Sequence, residues 1–373
     1  MRVLIDYRPA LRARSGVGEY VHELARALLA AAPIRALELL LFSSSWKDRF
    51  VRPTDLAPAM SVDRRVPVSV LNFLWHRVEW PPVERMAGQQ VDVVHSAHPL
   101  LIPSRRAARI VTIHDLDFLA HPERSAAEIR RDYPTLVRAH AHRADGIVVS
   151  SPFTAREVER QLEVPAKRIA ICPAGAPAWR PRASAPPDGG YLLFFGTLEP
   201  RKNVGGLLDA YEILVGRRRD TPPLLLAGRA TGAAAPWLQR IAQAPLQGRV
   251  RHVGYVDPAD RRALYEGARL LVQPSFEEGF GMTVLEAMTV GVPVVAADRG
   301  ALPELLGGAG LLVDPTEPEA IAAAIARLLD DGALAAAACT RGIHRASSYN
   351  WAQTAERVYA AYQQAIEHRC ASA

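Results

Sequence analysis

The chain has 373 residues, 49% hydrophobic and 23% charged, a globular composition long enough for two domains at roughly 100–200 residues each. It has no apolar run of about 18 residues to cross a membrane, and its opening MRVLIDYRPALRARSG breaks the apolar stretch that a secretory leader requires. The net charge of +6 is uneven: residues 1–180 carry 26 Lys+Arg against 19 Asp+Glu, and residues 181–373 carry 19 against 20, so the front half suits an anionic partner unless the excess is mere drift in an arginine-rich chain.

In chain order, RVLIDY reads as a strand and GVGEYVHELARALLAAAP as a helix with Val17, Val21, Leu24, Leu28 and Leu29 on one face. ALELLLFSS, VDVVHS, RIVTIHDL, GIVVSS and RIAICPAG read as further strands, with SPFTAREVERQLEV as a helix before the last. Short β-branched runs separated by helices predict βα units and a parallel sheet buried on both faces. Residues 173–190, with five prolines and three glycines, read as a linker. The pattern then restarts with YLLFFGTL, LLLAGR, RVRHVGYV, ARLLVQPS, VPVVAA and GLLVDP, and it ends in a helix, NWAQTAERVYAAYQQAIEH. Cys172, Cys339 and Cys370 share no metal-type spacing and cannot all pair, so reduced thiols in a cytoplasm are expected.

Ligands of parallel sheets bind beyond the carboxyl ends of strands, so chemistry is sought in the loops there. In PSFEEGFGMTVLEAMTVGVPVVAA, Gly279 and Gly281 would let backbone approach a ligand, and a helix opening near Met282 would offer free N–H groups to an anion. Glu278 in the loop and Glu286 a turn into the helix are carboxylates suited to hydroxyls. Acids flanking an anion site imply a ligand with both phosphate and vicinal hydroxyls, although Glu286 taken alone also fits a helix first-turn acid. In FFGTLEPRKN, Arg201 and Lys202 follow a strand and could neutralise a diphosphate without a metal. A solvated pair of cations is the bland alternative. Lysine is scarce here (Lys47, Lys167 and Lys202 only), which favours a point-charge role for Lys202.

EGFGMTVLE resembles the Glu-x7-Glu signature of retaining glycosyltransferases of family 4, which have the GT-B fold; PSFEEGFG, GVPVVAADRGALPELLGGAGLLVDP and GTLEPRKN resemble that family's donor domain. The similarity extends more weakly over nearly the whole chain. The resemblance implies that Glu278 contacts the donor sugar and Glu286 the ribose, and that Gly279, Phe280, Gly281, Met282 and Thr283 belong to the donor site. It places Arg201 and Lys202 on the diphosphate; Thr197 stands where some members carry a further arginine. Gly16, Val17 and Gly18 look like the family's glycine loop, which reaches the donor phosphate and the acceptor. As a dinucleotide fingerprint they fail, with Val21 at the third glycine position. His114, in TIHDL, is similar to the family histidine near the transferred sugar, with Asp115 orienting or capping the loop.

Asp115 and Asp117 could be called a DxD metal site, but the two-domain layout argues against that fold. His95 and His98, and His140 and His142, have ligand-like spacing without a third partner and read as satisfied histidines. Trp46, Phe50, Phe73, Trp75 and Trp80, among Arg49, Arg52, Arg64, Arg65 and Arg77, fit an acceptor-side or membrane-surface patch, or core residues with snorkelling stems. No recognition helix or zinc spacing supports nucleic acid.

The combined expectation is α/β: two Rossmann-like parallel-sheet domains of GT-B type facing across a cleft. Residues 1–178 would bind the acceptor and 186–351 the nucleotide sugar, with the helix 352–373 packing back on the first domain. The activity implied is retaining transfer of a hexose to a glycan or lipid-linked acceptor in surface polysaccharide or glycolipid synthesis, with no metal or other cofactor. TIHDLDFL and EGFGMTVLE most resemble bacterial mannosyltransferases, which suggests GDP-mannose as donor. The expected setting is cytoplasmic, with peripheral contact between the basic front half and an anionic membrane. The rivals are a sugar-nucleotide epimerase of the same fold and a non-catalytic nucleotide-sugar-binding subunit. The failed fingerprint disfavours an oxidoreductase.

Overall fold

Apolar runs too short for helices become central strands because both faces of each are covered, and β1, β4 and β6 below are almost wholly buried. The computed structural model describes residues 1–11, 14, 16–124, 127–184 and 189–371. The chain forms two units: unit 1 is Met1–Gly175 with Asn350–Ala373, and unit 2 is Ala176–Tyr349.

Unit 1 contains β1 (Arg2–Asp6), β2 (Glu38–Ser44), β3 (Met60–Arg64), β4 (Val93–Ser96), β5 (Ala108–Ile113), β6 (Gly146–Val149) and β7 (Ile169–Ile171). They make a parallel sheet in the order β3-β2-β1-β4-β5-β6-β7. One apolar cluster, around Leu4, Phe42, Leu71 and Trp75, packs the β1–β4 region, and another, around Val111, Ile113, Val137 and Val158, packs β5 and β6. The helix Val17–Arg35 runs two residues past Pro33, beyond the end expected for it. The last helix, Trp351–Ala371, lies against it and against β5, β6 and β7. Thr354 Oγ1 donates to the Pro173 carbonyl at 2.6 Å, and Tyr362 Oη meets His95 Nδ1 at 2.7 Å. A Cβ on Gly175 would lie 2.3 Å from the Trp351 nitrogen, so only glycine allows the chain to leave unit 1 beside that helix.

Unit 2 contains β8 (Tyr191–Phe195), β9 (Leu224–Ala227), β10 (Val250–Gly254), β11 (Ala268–Gln273), β12 (Val294–Ala297) and β13 (Leu311–Val313). Its sheet is again parallel, in the order β10-β9-β8-β11-β12-β13. The order reverses between β1 and β4 in unit 1 and between β8 and β11 in unit 2. Crevices at such reversals, beyond the carboxyl ends of the strands, are where open α/β sheets bind ligands.

Three sequence readings change. β3 was not expected, because MSVDR is a mostly exposed edge strand with no apolar run. The linker reading of 173–190 holds less than its composition suggests: Arg182 N–H donates to the Val290 carbonyl at 2.9 Å and its guanidinium to Ala268 at 2.7 Å, tying that stretch to unit 2. Residues 185–188 of it lie outside the described residues. The aromatic group also divides. Trp75 is fully buried and Phe50 packs on Tyr7 at 5.2 Å, whereas Trp46, Phe73 and Trp80 are exposed.

Candidate functional site

In unit 2 the reversal point brings together the loops that follow β8 and β11. A Cβ on Gly228, at φ +126, would lie 2.0 Å from the Gly196 carbonyl oxygen, so the ends of β8 and β9 meet at a contact only glycine allows. Beyond Gly196 the chain makes a 3-10 turn, Pro200–Lys202, and Asn203 (φ 55) accepts from Gly206 N–H to start the helix Val204–Arg217. The two loops are joined directly. Phe276 N–H donates to the Arg201 carbonyl at 2.9 Å, and Arg201 Nη1 donates to the Glu277 carbonyl at 2.8 Å.

That stitching puts both cations beside Glu278. Lys202 Nζ donates to Glu278 Oε1 at 2.5 Å, and the same oxygen accepts from Ser275 Oγ at 2.8 Å and Gln273 Nε2 at 3.1 Å. Among the described residues Oε2 has only Arg201 Nη1, at 3.5 Å. One carboxylate oxygen is thus saturated and anchors the group, while the other keeps accepting capacity for hydroxyls. Burial alone would raise the Glu278 pKa; the charges of Lys202 and Arg201 and the hydrogen bonds from Lys202 and Ser275 outweigh it and hold it at about 2. The carboxylate is ionised at neutral pH.

The helix Met282–Val290 starts beside it. Its N-cap, Gly281, has φ +103, and a Cβ there would come within 2.7 Å of Leu302 Cδ2. With no side chain to cap the turn, the N–H groups of Met282 and Thr283 find no acceptor among the described residues. Uncapped N–H groups at a helix start attract an anion. Phe280 packs edge-on to Tyr349 at 5.8 Å, and Thr283 Oγ1 lies 3.5 Å from Gln273 Oε1. One turn on, Glu286 is buried; Tyr265 Oη donates to its Oε2 at 2.7 Å, and Arg261 Nη1 stands 3.6 Å from Oε1. Gly300 closes the far side of the loop, since a Cβ there would lie 2.6 Å from the Glu278 carbonyl oxygen.

The other expected residues lie in unit 1. β5 ends at Ile113, so His114 and Asp115 stand on the loop after it. His114 Nε2 faces the Ala97 carbonyl at 3.2 Å, so that nitrogen carries the proton. Burial, more than any other influence, lowers its pKa, leaving a neutral ring whose Nδ1 is a hydrogen-bond acceptor. Tyr20 packs edge-on against it at 5.1 Å. Gly16, with φ +49, precedes the helix that carries Tyr20, and a Cβ on Gly18 would lie 2.6 Å from the Pro9 carbonyl oxygen. Among the described residues no group of three His, Cys, Asp or Glu is arranged to hold a metal ion, and Asp117 opens a short helix, Asp117–Ala120.

Sequence reading overlooked the residues that hold the two glutamates. Ser275 lies inside the motif and was legible by position. Gln273 ends a strand, while Tyr265 and Arg261 sit on the short helix Arg261–Glu266, and nothing local marks any of the three.

Family models match both halves of the chain: Glycosyltransferase Family 4 over residues 14–179 and Glycosyl transferases group 1 over residues 189–331. The O-antigen chain mannosyltransferase B of Escherichia coli is 30% identical over 383 residues, covering 97% of this chain and 100% of that protein. Sucrose-phosphate synthase from Thermosynechococcus elongatus superposes with a TM-score of 0.78 at 22% identity, over 97% of this chain and 98% of that one. Anabaena Alr3699/HepE, solved in complex with UDP and glucose, gives 0.70 at 19% identity over 96% of this chain and 98% of that one. At these identities the structural likeness is one of fold.

Proposed function

This chain belongs to glycosyltransferase family 4, and from that premise we propose that it moves mannose from GDP-mannose, with retention, to a glycan or lipid-linked acceptor in surface polysaccharide or glycolipid synthesis. The observation that carries the proposal is the anchored, ionised Glu278 beside Lys202 and Arg201 at the β8/β11 reversal, next to an uncapped helix start. The relative from Escherichia coli, a mannosyltransferase by name, supports mannose.

On this reading the residues act as follows. As the bond from the sugar's anomeric carbon to the diphosphate breaks, negative charge grows on the leaving oxygens. Lys202, Arg201 and the N–H groups of Met282 and Thr283 stabilise it in the transition state. Glu278 Oε2 takes sugar hydroxyls and orients the oxocarbenium-like centre. The acceptor hydroxyl attacks from the face the diphosphate leaves, and its proton passes to the departing phosphate oxygen. Glu286, steadied by Tyr265, takes the ribose hydroxyls. In unit 1, His114 Nδ1 accepts from a hydroxyl of the transferred sugar or the acceptor, and Gly16 and Gly18 shape the neighbouring loop. Membrane contact on this reading is made by the exposed Val68, Val70, Phe73, Val78 and Trp80 beside Arg65 and Arg85. No helix among the described residues is long and apolar enough to cross a bilayer.

The test is release of nucleoside diphosphate from GDP-mannose and UDP-glucose, with and without α-linked mannooligosaccharide. Acceptor-dependent release of GDP, reduced at least tenfold in kcat/KM by Lys202→Ala (about 1.4 kcal/mol of transition-state binding), is expected. Release of UDP from UDP-glucose alone would overturn the donor, and acceptor-independent conversion of the nucleotide sugar to its epimer, with no diphosphate released, would favour an epimerase.

A further inference from the structure

Unit 1 has a reversal point of its own, between β1 and β4, and a cavity of about 680 Å³ lies there, within the size range of small-ligand sites. Asp6 and Arg8 line it where β1 ends, His98 beyond the end of β4, and Trp46, Lys47 and Asp48 beyond the end of β2. Gly16, Gly18 and His114 are not among its walls.

The charged groups at its floor are already committed. Arg8 Nε and Nη2 donate to the two oxygens of the fully buried Asp6 at 2.8 and 2.7 Å, and Nη1 donates to Asn72 Oδ1 at 2.9 Å. The guanidinium also sits 5.0 Å from the Trp75 ring centre. His98 Nδ1 accepts from Leu100 N–H at 3.2 Å, and its Nε2 stands 3.5 Å from Asp6 Oδ2. A phosphate entering here would have to compete with a bidentate carboxylate for Arg8. Among the described residues the formal charges of the walls balance, Arg8 and Lys47 against Asp6 and Asp48. In unit 2 the cations Lys202 and Arg201 likewise face carboxylates, Glu278 and Glu199, and the contrast is the uncapped helix start beside them.

What the cavity does offer is suited to an uncharged polyol. Because Arg8 donates to Asn72 Oδ1, the Asn72 amide is oriented with its two N–H donors unused by any described residue. Ser69 adds a hydroxyl. Trp46, 67% exposed, presents an indole to the same space, and a large amphipathic ring of that kind covers the apolar face of a sugar while its rim tolerates water.

We propose that the cavity at the β1/β4 reversal binds a neutral, hydroxyl-rich glycan, with Trp46 stacking on a hexose ring and Asn72 donating to its hydroxyls. This rests on the reading that the chain glycosylates an acceptor, and it narrows that acceptor to an uncharged glycan rather than a phosphorylated sugar.

The experiment titrates the full chain with α-linked mannobiose, with mannose 6-phosphate and, separately, with GDP. Mannobiose is expected to bind more tightly than mannose 6-phosphate. Trp46→Ala should raise the mannobiose Kd at least tenfold, Trp46→Tyr should restore most of the loss, and the GDP Kd should stay the same in both. An unchanged melting temperature in Trp46→Ala, expected at so exposed a position, keeps the comparison free of unfolding. Tighter binding of mannose 6-phosphate, or equal mannobiose binding in Trp46→Ala and the parent chain, overturns the proposal. A chain that binds GDP but not mannobiose overturns only the cavity assignment; one that binds neither overturns the donor reading as well.

Discussion

Removing Lys202 should destabilise unit 2 through Glu278. The Glu278 carboxyl is held at about 2 against an ordinary 4.5, a difference worth about 3 kcal/mol at about 1.4 kcal/mol per pKa unit. Lys202 is the nearer of its two cations, at 2.5 Å against 3.5 Å for Arg201. Lys202→Met would leave a buried carboxylate with one distant cation and two neutral donors. A loss of about 2–3 kcal/mol at pH 7 is expected, near the lower end of what breaking a buried pair costs. The assay is urea denaturation of the parent, Lys202→Met, Glu278→Gln and the double variant. Residues in direct contact should show a coupling of about 2 kcal/mol. The effect should also depend on pH with a definite sign. Glu278 titrates lower in the folded chain than in the unfolded one, so its contribution is complete above about pH 4.5 and fades as pH falls toward about 2. The gap between parent and Lys202→Met should therefore narrow across that interval. Additive single effects, with coupling below about 0.5 kcal/mol, or a gap that widens on acidification, would refute the reasoning.

Further outcomes follow from the same geometry. Tyr265→Phe removes the donor to Glu286 Oε2 and should weaken nucleotide binding by about three- to tenfold, the worth of one hydrogen bond, in a calorimetric titration; unchanged affinity would remove Glu286 from the ribose. Gly281→Ala places a Cβ 2.7 Å from Leu302 Cδ2 at a positive φ and should cost about 1–3 kcal/mol in urea denaturation while weakening GDP binding; a neutral result would mean that the loop relaxes freely. Cys172 is buried, with its thiol pushed up to about 12, whereas Cys370 is exposed. An aromatic disulfide reagent at pH 8 should thus label Cys370 quickly and Cys172 only on unfolding; rapid labelling of Cys172 in the native chain would contradict its placement. Vesicle flotation should retain the chain on phosphatidylglycerol but not on phosphatidylcholine, and Phe73→Ser with Trp80→Ser should release it; equal binding to both lipids would contradict the charge-assisted contact.

The parallel sheets were legible because each central strand is a continuous apolar run bounded by a helix, a pattern that few other folds generate. β3 escaped because an edge strand needs no such run; MSVDR pairs with β2 through its backbone, and of its apolar side chains only Val62 packs on the core cluster. At the candidate site, Glu278, Arg201 and Lys202 were visible because they sit in short loops at strand ends, and Glu286 because it stands a turn into the helix that follows such a loop. Their arrangement was not visible: that Glu278 Oε1 is saturated and Oε2 is left accepting depends on Lys202 and Gln273, which only the β8/β11 reversal brings together. The partners of Glu286 come from a separate helix for the same reason. The unit 1 cavity was the least legible part. Asp6, Trp46, Asn72 and His98 are spread over nearly a hundred residues, and Trp46 read in sequence as one member of an aromatic cluster that the structure divides between core and surface.

The central claim is that the β8/β11 reversal of unit 2 holds a nucleoside diphosphate sugar, and the most direct test is thermal stabilisation against a panel of nucleotides and nucleotide sugars. At about a hundredfold over Kd, one guanosine species should stabilise the parent chain by about 2.7 kcal/mol, and the shift should shrink in both Glu286→Gln and Lys202→Met. No shift with any nucleotide, or the same shift in the parent and both variants, would contradict it.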